Sequence, residues 1–203
     1  MANANAGSVA TVTVTLSAGF VVLFVGLQGA SIISVVVNST PSTTLNPDAY
    51  RSISSCGVYS GTLPAGGGTT VTVTGTSAAF GDCNIGAWSL STSAVLTSTC
   101  IAGSGQQNPS FSPNVNAGDY IFGGCFSPAA AANYNASTQV PNNAGPGSPY
   151  EVLGVNGNRT DFADWTVIAS GAFTVSSSQN NGPTFADYTP TGAGPILFAQ
   201  ACL

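Results

Sequence analysis

Residues 19–37 read GFVVLFVGLQGASIISVVV, an unbroken stretch without a charge. Such a run must leave water, into a bilayer or into a protein core, and the two options dictate different folds. A helical span needs about 20 apolar residues with interfacial anchors and a Lys/Arg bias at its ends. No Lys or Arg precedes Arg51, and the run is interrupted by LQGAS at 27–31, a turn composition. Each half is rich in Val and Ile and has the usual length of a strand. The run therefore predicts two strands and no membrane span. Its first half, FVVLFVGL, is apolar at consecutive positions, as in a strand covered on both faces. Something must cover the second face, either the chain's own loops or a neighbouring subunit.

The rest of the chain reads as strands too. VATVTVTL at 9–16 and TTVTVTGT at 69–76 alternate apolar and hydroxyl residues with period two, the pattern of half-buried strands. Further strands are predicted at 20–27, 32–38, 52–62, 84–91, 120–127, 165–170, 173–176 and 196–201. Turn clusters such as TPSTTLNPD, LPAGGG, NAGD and NNGP separate them, and Asn156-Gly157 is a candidate type I′ hairpin turn. A single helical turn near 129–134 is the only helical signal. Many short strands with regular turn signals predict an all-β fold, an antiparallel β-sandwich of jelly-roll type with long surface loops. Residues 1–203 read as one domain. Residues 1–45 read as integral strands, with an N-terminal strand arm packed on a neighbour as the alternative. Residues 127–150, rich in Ala, Pro, Asn and Gly, read as a long loop.

Charge excludes whole classes of function. Charged residues make up 4% of the 203 residues, against about 25% in ordinary domains. There is no His and no Lys, and Arg51 and Arg159 are the only cations. Two arginines cannot neutralise a run of phosphates, so nucleic acid is not an expected partner. Anionic membrane surfaces are set aside for the same reason. Imidazole catalysis and His-ligated metals are impossible. No cofactor fingerprint is present, and the chain is not expected to be an enzyme or to hold a cofactor or metal. Ser, Thr, Asn and Gly must wet the surface, which suits dense packing against identical neighbours. The opening MANANAGSVA lacks a basic n-region and an apolar h-region, so no Sec signal is expected and release would be by lysis.

The residues with reactive or recognition chemistry are few. Cys56, Cys83, Cys100, Cys125 and Cys202 lack the paired spacing of zinc sites. They are either buried thiols or partners in a disulfide, within or between subunits. Asp161 and Asp164 (TDFADW) have the composition of a glycosidase pair or a Ca²⁺ site. The stronger reading is Asp at strand entries, capping turns and keeping edges soluble, with Asp161 and Arg159 as a weak surface pair. Trp88 and Trp165 sit in apolar strands. With Phe122 and Phe198 they are the expected core aromatics, an exposed sugar-binding platform being the alternative for the two Trp.

One order of segments is distinctive: TTVTVTGT, NIGAWSLST, a polar loop, NPSFSPNVNAGDYIFGGCF, a variable loop, then FADWTVIASGAFTV, FADYTP and ILFAQACL. Over residues 50–203 this resembles a β-sandwich module of virion proteins of tailed bacteriophages, especially phages of alphaproteobacteria. The resemblance implies a structural role in the virion, assembled in the host cytoplasm. It implies a capsid decoration (cement) protein first, bound to the major capsid protein or other virion proteins as a homotrimer or other homo-oligomer. A neck, collar or tail-fibre module that binds host-surface carbohydrate is the alternative. Five Cys and almost no charge depart from the usual pattern and favour a close-packed lattice over an exposed fibre.

Overall fold

The structure, a computed structural model, describes residues 9–51, 55–77, 81–102, 109–127, 148–153, 159–175 and 183–202, with backbone alone for 127, 148–153, 159 and 202. The described residues hold strands and no helix, and every strand pair is antiparallel. The strands are β1 (Val9–Leu16), β2 (Gly19–Leu27), β3 (Ile32–Val37), β4 (Thr43–Thr44), β5 (Asn46–Arg51), β6 (Cys56–Leu63) and β7 (Gly68–Gly75). They continue with β8 (Cys83–Leu90), β9 (Ala94–Ile101), β10 (Tyr120–Ser127), β11 (Ser148–Leu153), β12 (Arg159–Thr166), β13 (Thr184–Pro190) and β14 (Ile196–Cys202).

They form three sheets: sheet A in the order β1-β7-β3-β4, sheet B in the order β14-β8-β2-β6-β5, and sheet C in the order β11-β12-β10-β13-β9. Sheet B is the middle layer. One core joins A to B through Val12, Val14, Val35, Val71 and Val73 on one side and Val21, Leu23, Val25, Ile85 and Ala87 on the other. A second joins B to C through Val22, Phe24, Val58, Trp88 and Leu90 against Phe122, Phe126, Phe162, Ala186 and Tyr188. The apolar run that opened the sequence is thereby explained. β2 is the central strand of the central sheet, and its odd and even residues enter different cores. Its second face is covered by another sheet of the same chain, neither by loops nor by a neighbour. Ile32 onward leaves for sheet A, so the turn at 28–31 changes layers and does not close a hairpin. Among the described residues no helix is long and apolar enough to cross a membrane.

Sequence pattern and layer agree strand by strand. β1 alternates exposed and buried residues without exception, since one face meets the core and the other meets solvent. β8, in the middle layer, is buried at all positions. Close approach of sheets B and C depends on two glycines. A Cβ on Gly26 would lie 2.5 Å from the Phe126 ring, and one on Gly86 would lie 2.5 Å from the Phe162 ring. Both rings rest directly on the backbone of sheet B.

Several strands differ from expectation. Of the expected strands at 165–170 and 173–176, only Trp165 and Thr166 lie in a strand of a sheet among the described residues. The strand there is β12, which begins at Arg159, and residues 167–175 instead cross the outer face of sheet C. β5, β9, β11 and β13 were not expected, because their Pro, Asp, Ser and Thr read as turns. β11 also occupies the end of the segment read as a long loop. Residues 128–147, with the expected helical turn, and Asn156-Gly157 lie outside the described residues. β11 and β12 do pair antiparallel on either side of 154–158.

Candidate functional site

The cysteines are dispersed. Cys83 lies in the core between sheets A and B, Cys56 in the core between B and C, and Cys100 in a third cluster on the outer face of sheet C. Cys125 is also fully buried, and none of these four is in a disulfide. This corrects the disulfide expectation for them: the sulfurs of Cys56, Cys83 and Cys100 lie in three separate cores, and a buried thiol cannot reach a neighbouring subunit. Burial pushes the thiols of Cys83 and Cys100 up to about 12, with a hydrogen bond from the Val175 backbone drawing Cys100 slightly back. They are protonated and inert at neutral pH. The side chain of Cys202 lies outside the described ones.

The expected core aromatics separate into two groups. Trp88 and Phe122 are fully buried with ring centroids 5.2 Å apart, and half-buried Phe198 lies 5.4 Å from Trp88. Trp165 is in the third cluster, 5.1 Å from Phe185 and 5.6 Å from Phe173. Neither Trp can serve as an exposed sugar platform. The aromatic surface that does exist is elsewhere. A groove of about 520 Å³ opens between the edges of sheets A and B, lined by Ile33, Leu45, Pro47, Tyr50 and Tyr59. The hydroxyl of Tyr50 accepts a hydrogen bond from the Ile32 N–H at 3.2 Å, which holds that ring in place.

The carboxylates overturn the surface reading. Asp82, Asp119, Asp161 and Asp187 are buried, as is Arg51, while Asp48 and Asp164 are half-buried. Among the described side chains none that carries charge is exposed. Asp164 Oδ2 accepts the Trp88 indole N–H at 2.8 Å, and Asp48 Oδ2 accepts the Tyr188 hydroxyl. Asp161 and Asp164 thus sit inside the stack and not at soluble strand entries. Asp164 anchors an aromatic core, and no group of three or more metal-ligating side chains occurs among the described residues.

Among the described carboxylates, Asp187 is the one whose proton affinity is strongly shifted. Asp187 Oδ2 accepts the Ser98 hydroxyl at 3.1 Å, and its buried Oδ1 accepts no hydrogen bond. Burial and repulsion from Asp119 raise its pKa to about 7, while the Ser98 hydroxyl pulls the other way. The folded protein holds this proton to about pH 7, whereas an unfolded aspartate releases it near about 4. The unfolded chain binds fewer protons across that window, so stability falls as pH rises through it and levels off above. Each unit is worth about 1.4 kcal/mol. Discounted for water reaching the adjacent groove lined by Gly118, Asp119 and Thr189, the loss is on the order of 2 kcal/mol. Urea midpoints at about pH 4.5 and 8 will show it, and Asp187→Asn will remove most of the difference.

The outward faces are hydroxyl-rich. On sheet A the solvent side carries Thr11, Thr13 and Thr15 of β1 beside Thr70, Thr72 and Thr74 of β7, with Thr11 opposite Thr72 and Thr13 opposite Thr70. Asn38 Nδ2 donates to the hydroxyls of Thr70 and Thr72 at 2.8 and 3.1 Å. Exposed apolar residues are scattered: Val9 on β1, Ile33 on β3, Leu197 on β14, and Val95, Leu96 and Ile101 on edge strand β9. The hydroxyl-rich surface was expected from composition, whereas the burial of the carboxylates was missed, since a count of charges does not say where they lie. No family model, curated protein or solved structure matches the chain.

Proposed function

We propose that this chain is a structural subunit of a tailed-bacteriophage virion, a decoration protein that cements the head through contacts with the major capsid protein and with its own copies. The observation that carries the reading is the exterior: every charged side chain among the described ones is buried or half-buried, and hydroxyls line the outward faces. Charge normally keeps freely diffusing proteins apart. A surface without it packs closely against copies of itself, and many modest contacts add up over a lattice. The jelly-roll connectivity belongs to the same proposal. It is supported by the passages from β8 to β9 and from β13 to β14, which carry the chain between sheets B and C and return β14 beside β8.

Quantitative mass spectrometry of purified particles tests this reading. Hundreds of copies per head support decoration, a few dozen or fewer indicate neck, collar or fibre, and absence from the particle removes the proposal. Contacts of this kind are also insensitive to screening. Raising salt from about 0.05 to about 0.5 M is expected to change the affinity for heads less than about twofold, where an ion-paired interface would weaken severalfold.

The groove beside Tyr50 and Tyr59 favours one alternative, a fibre or collar module that binds host-surface carbohydrate. Aromatic faces flanked by Ser34, Thr44 and Asn46 suit a sugar ring. Glycan-array binding that disappears in Tyr50→Ala supports this alternative, and an array without signal removes it.

A further inference from the structure

Sheet A is narrower than sheet B, and on one side the mismatch leaves a step. β1, the edge strand of sheet A, packs across β8 and β14 of sheet B. It does not cover β14 fully. Leu197 is 57% exposed, and Ala199 and Ala201, which share its face, are half-buried against the core between A and B. These three side chains form an apolar shelf beside the outer edge of β1.

The backbone of β1 is open along that edge. The Asn38 N–H donates to the Thr70 carbonyl at 2.9 Å, so Thr70 directs its polar groups at β3, and so does Thr72, two residues on. The residues opposite them, Thr13 and Thr11, therefore turn their N–H and C=O away from β7. Among the described strands β1 pairs with β7 alone. Natural sheets guard such edges with short strands, Pro, charge or irregular pairing. Several edges here are guarded in that way. β4 has two residues, β5 has Pro47 and a register shift, β11 has Pro149 and Glu151, and β9 is bridged at Thr99 by Ser112. β1, VATVTVTL, has eight residues with neither Pro nor charge.

A single strand laid in this step gains a backbone ladder from β1 and an apolar floor from β14. Its inward residues must be small and apolar, and its outward ones must sit beside Thr11 and Thr13. It must carry no charge, since neither β1 nor β14 offers one in return. Residues 2–6 of the chain, ANANA, have that pattern with period two. Asn already fills such a place on the same face, where Asn38 Nδ2 donates to the hydroxyls of Thr70 and Thr72. The segment suits the β1 of another copy better than its own. Gly7-Ser8 favours a two-residue hairpin turn, which would set Asn5 opposite Ala10 and Asn3 opposite Val12, with both Asn over the apolar shelf.

We propose that residues 2–6 of one copy add as a strand to β1 of a second copy, with Ala2, Ala4 and Ala6 over the Leu197 shelf and Asn3 and Asn5 beside the threonines. One added strand is a small contact, at the weak end of specific interfaces, and a lattice multiplies it. This names a contact between copies that the decoration role calls for. It is tested on the pure chain without particles, so the two readings fail separately.

Sedimentation equilibrium of the intact chain from about 10 to about 300 µM is expected to show reversible self-association. Deleting residues 2–6 removes the added strand, and Thr11→Pro blocks the edge at a position whose N–H does not bond to β7. Each variant alone is expected to sediment as a monomer. Mixed, they are expected to form a 1:1 complex, because one keeps the edge and the other keeps the segment. Leu197→Glu, which places a charge on the shelf, is expected to weaken self-association at least about tenfold. An intact chain that stays monomeric throughout overturns the proposal, as does self-association that survives deletion of residues 2–6. A mixture that stays monomeric overturns it too, since it means that no copy lends its segment to another. If Thr11→Pro does not fold, Leu197→Glu, altered at an exposed position, takes its place in the mixture with the same two outcomes.

Discussion

Leu23→Ala and Phe24→Ala, adjacent substitutions on β2, are each expected to lower the free energy of unfolding by about 3–5 kcal/mol. Both residues are fully buried, but they point in opposite directions: Leu23 into the core between sheets A and B, Phe24 into the core between B and C, edge-on to Phe162 at 5.8 Å. In a two-layer sandwich one of any two neighbouring strand residues faces solvent, and truncating it costs within about 0.5 kcal/mol. Large losses at consecutive positions are the signature of a middle sheet. The two truncations act on separate cores, so their costs add, and the sum approaches the whole stability of a domain, about 5–15 kcal/mol. The double variant is expected to be unfolded at 25 °C. Urea unfolding of the single variants decides the matter, and a loss below about 1 kcal/mol at either position means that one face of β2 is open.

The three-layer arrangement was half legible in the sequence. FVVLFVGL announced a strand covered on both sides, and V-T-V-T alternation located β1 and β7 to within a residue, because one face of each meets water and the other a core. What alternation cannot say is which sheet a strand joins, so the covering layer was assigned to loops or a neighbour. Strands β12 (RTDFADWT) and β13 (TFADYTP) were misplaced or missed for a different reason. A carboxylate inside a short segment reads as a turn or an edge, but Asp164 and Asp187 are buried where an indole N–H and a hydroxyl receive them. Those donors come from β8 and β9, far away in sequence, and no local pattern encodes the match. The same holds for Asp187, which Asp119 approaches only because β10 and β13 are neighbours. The cysteines failed as a disulfide set for a related reason: spacing along the chain carries no record of the core each one enters.

Placing the described carboxylates inside also links the fold to the proposed role. A buried carboxylate costs stability unless it is hydrogen-bonded or protonated. Asp164 and Asp48 meet that cost through hydrogen bonds from Trp88 and Tyr188, and Asp187 through a retained proton. The outward faces of the described side chains can lie on a neighbour without desolvating an ion, the costly step in forming a close interface. A free, soluble subunit gains nothing from that arrangement, whereas a subunit held in a lattice does.

Trp88→Ala is the single substitution expected to cost most, about 4–5 kcal/mol, and the soluble yield will fall with it. Trp88 is the largest fully buried side chain among the described residues, on β8 between β14 and β2, with Phe122 and Phe198 against its rings. Two effects combine in its loss. Removing the indole leaves a cavity that strands paired on both sides cannot close, and it removes a donor from the half-buried Asp164 carboxylate. Trp88→Phe separates them, since it retains most of the ring packing but not the N–H, and should cost about 1–3 kcal/mol, the range for losing a hydrogen bond to a charged group. Adding Asp164→Asn to Trp88→Phe should recover part of that, because a neutral amide loses less than a carboxylate when its donor is gone. If Trp88→Phe is as damaging as Trp88→Ala, the hydrogen bond to Asp164 dominates and the carboxylate is a structural keystone. If it is nearly neutral, packing between sheets B and C carries the energy, and the burial of Asp164 is a consequence of the fold with little part in holding it together.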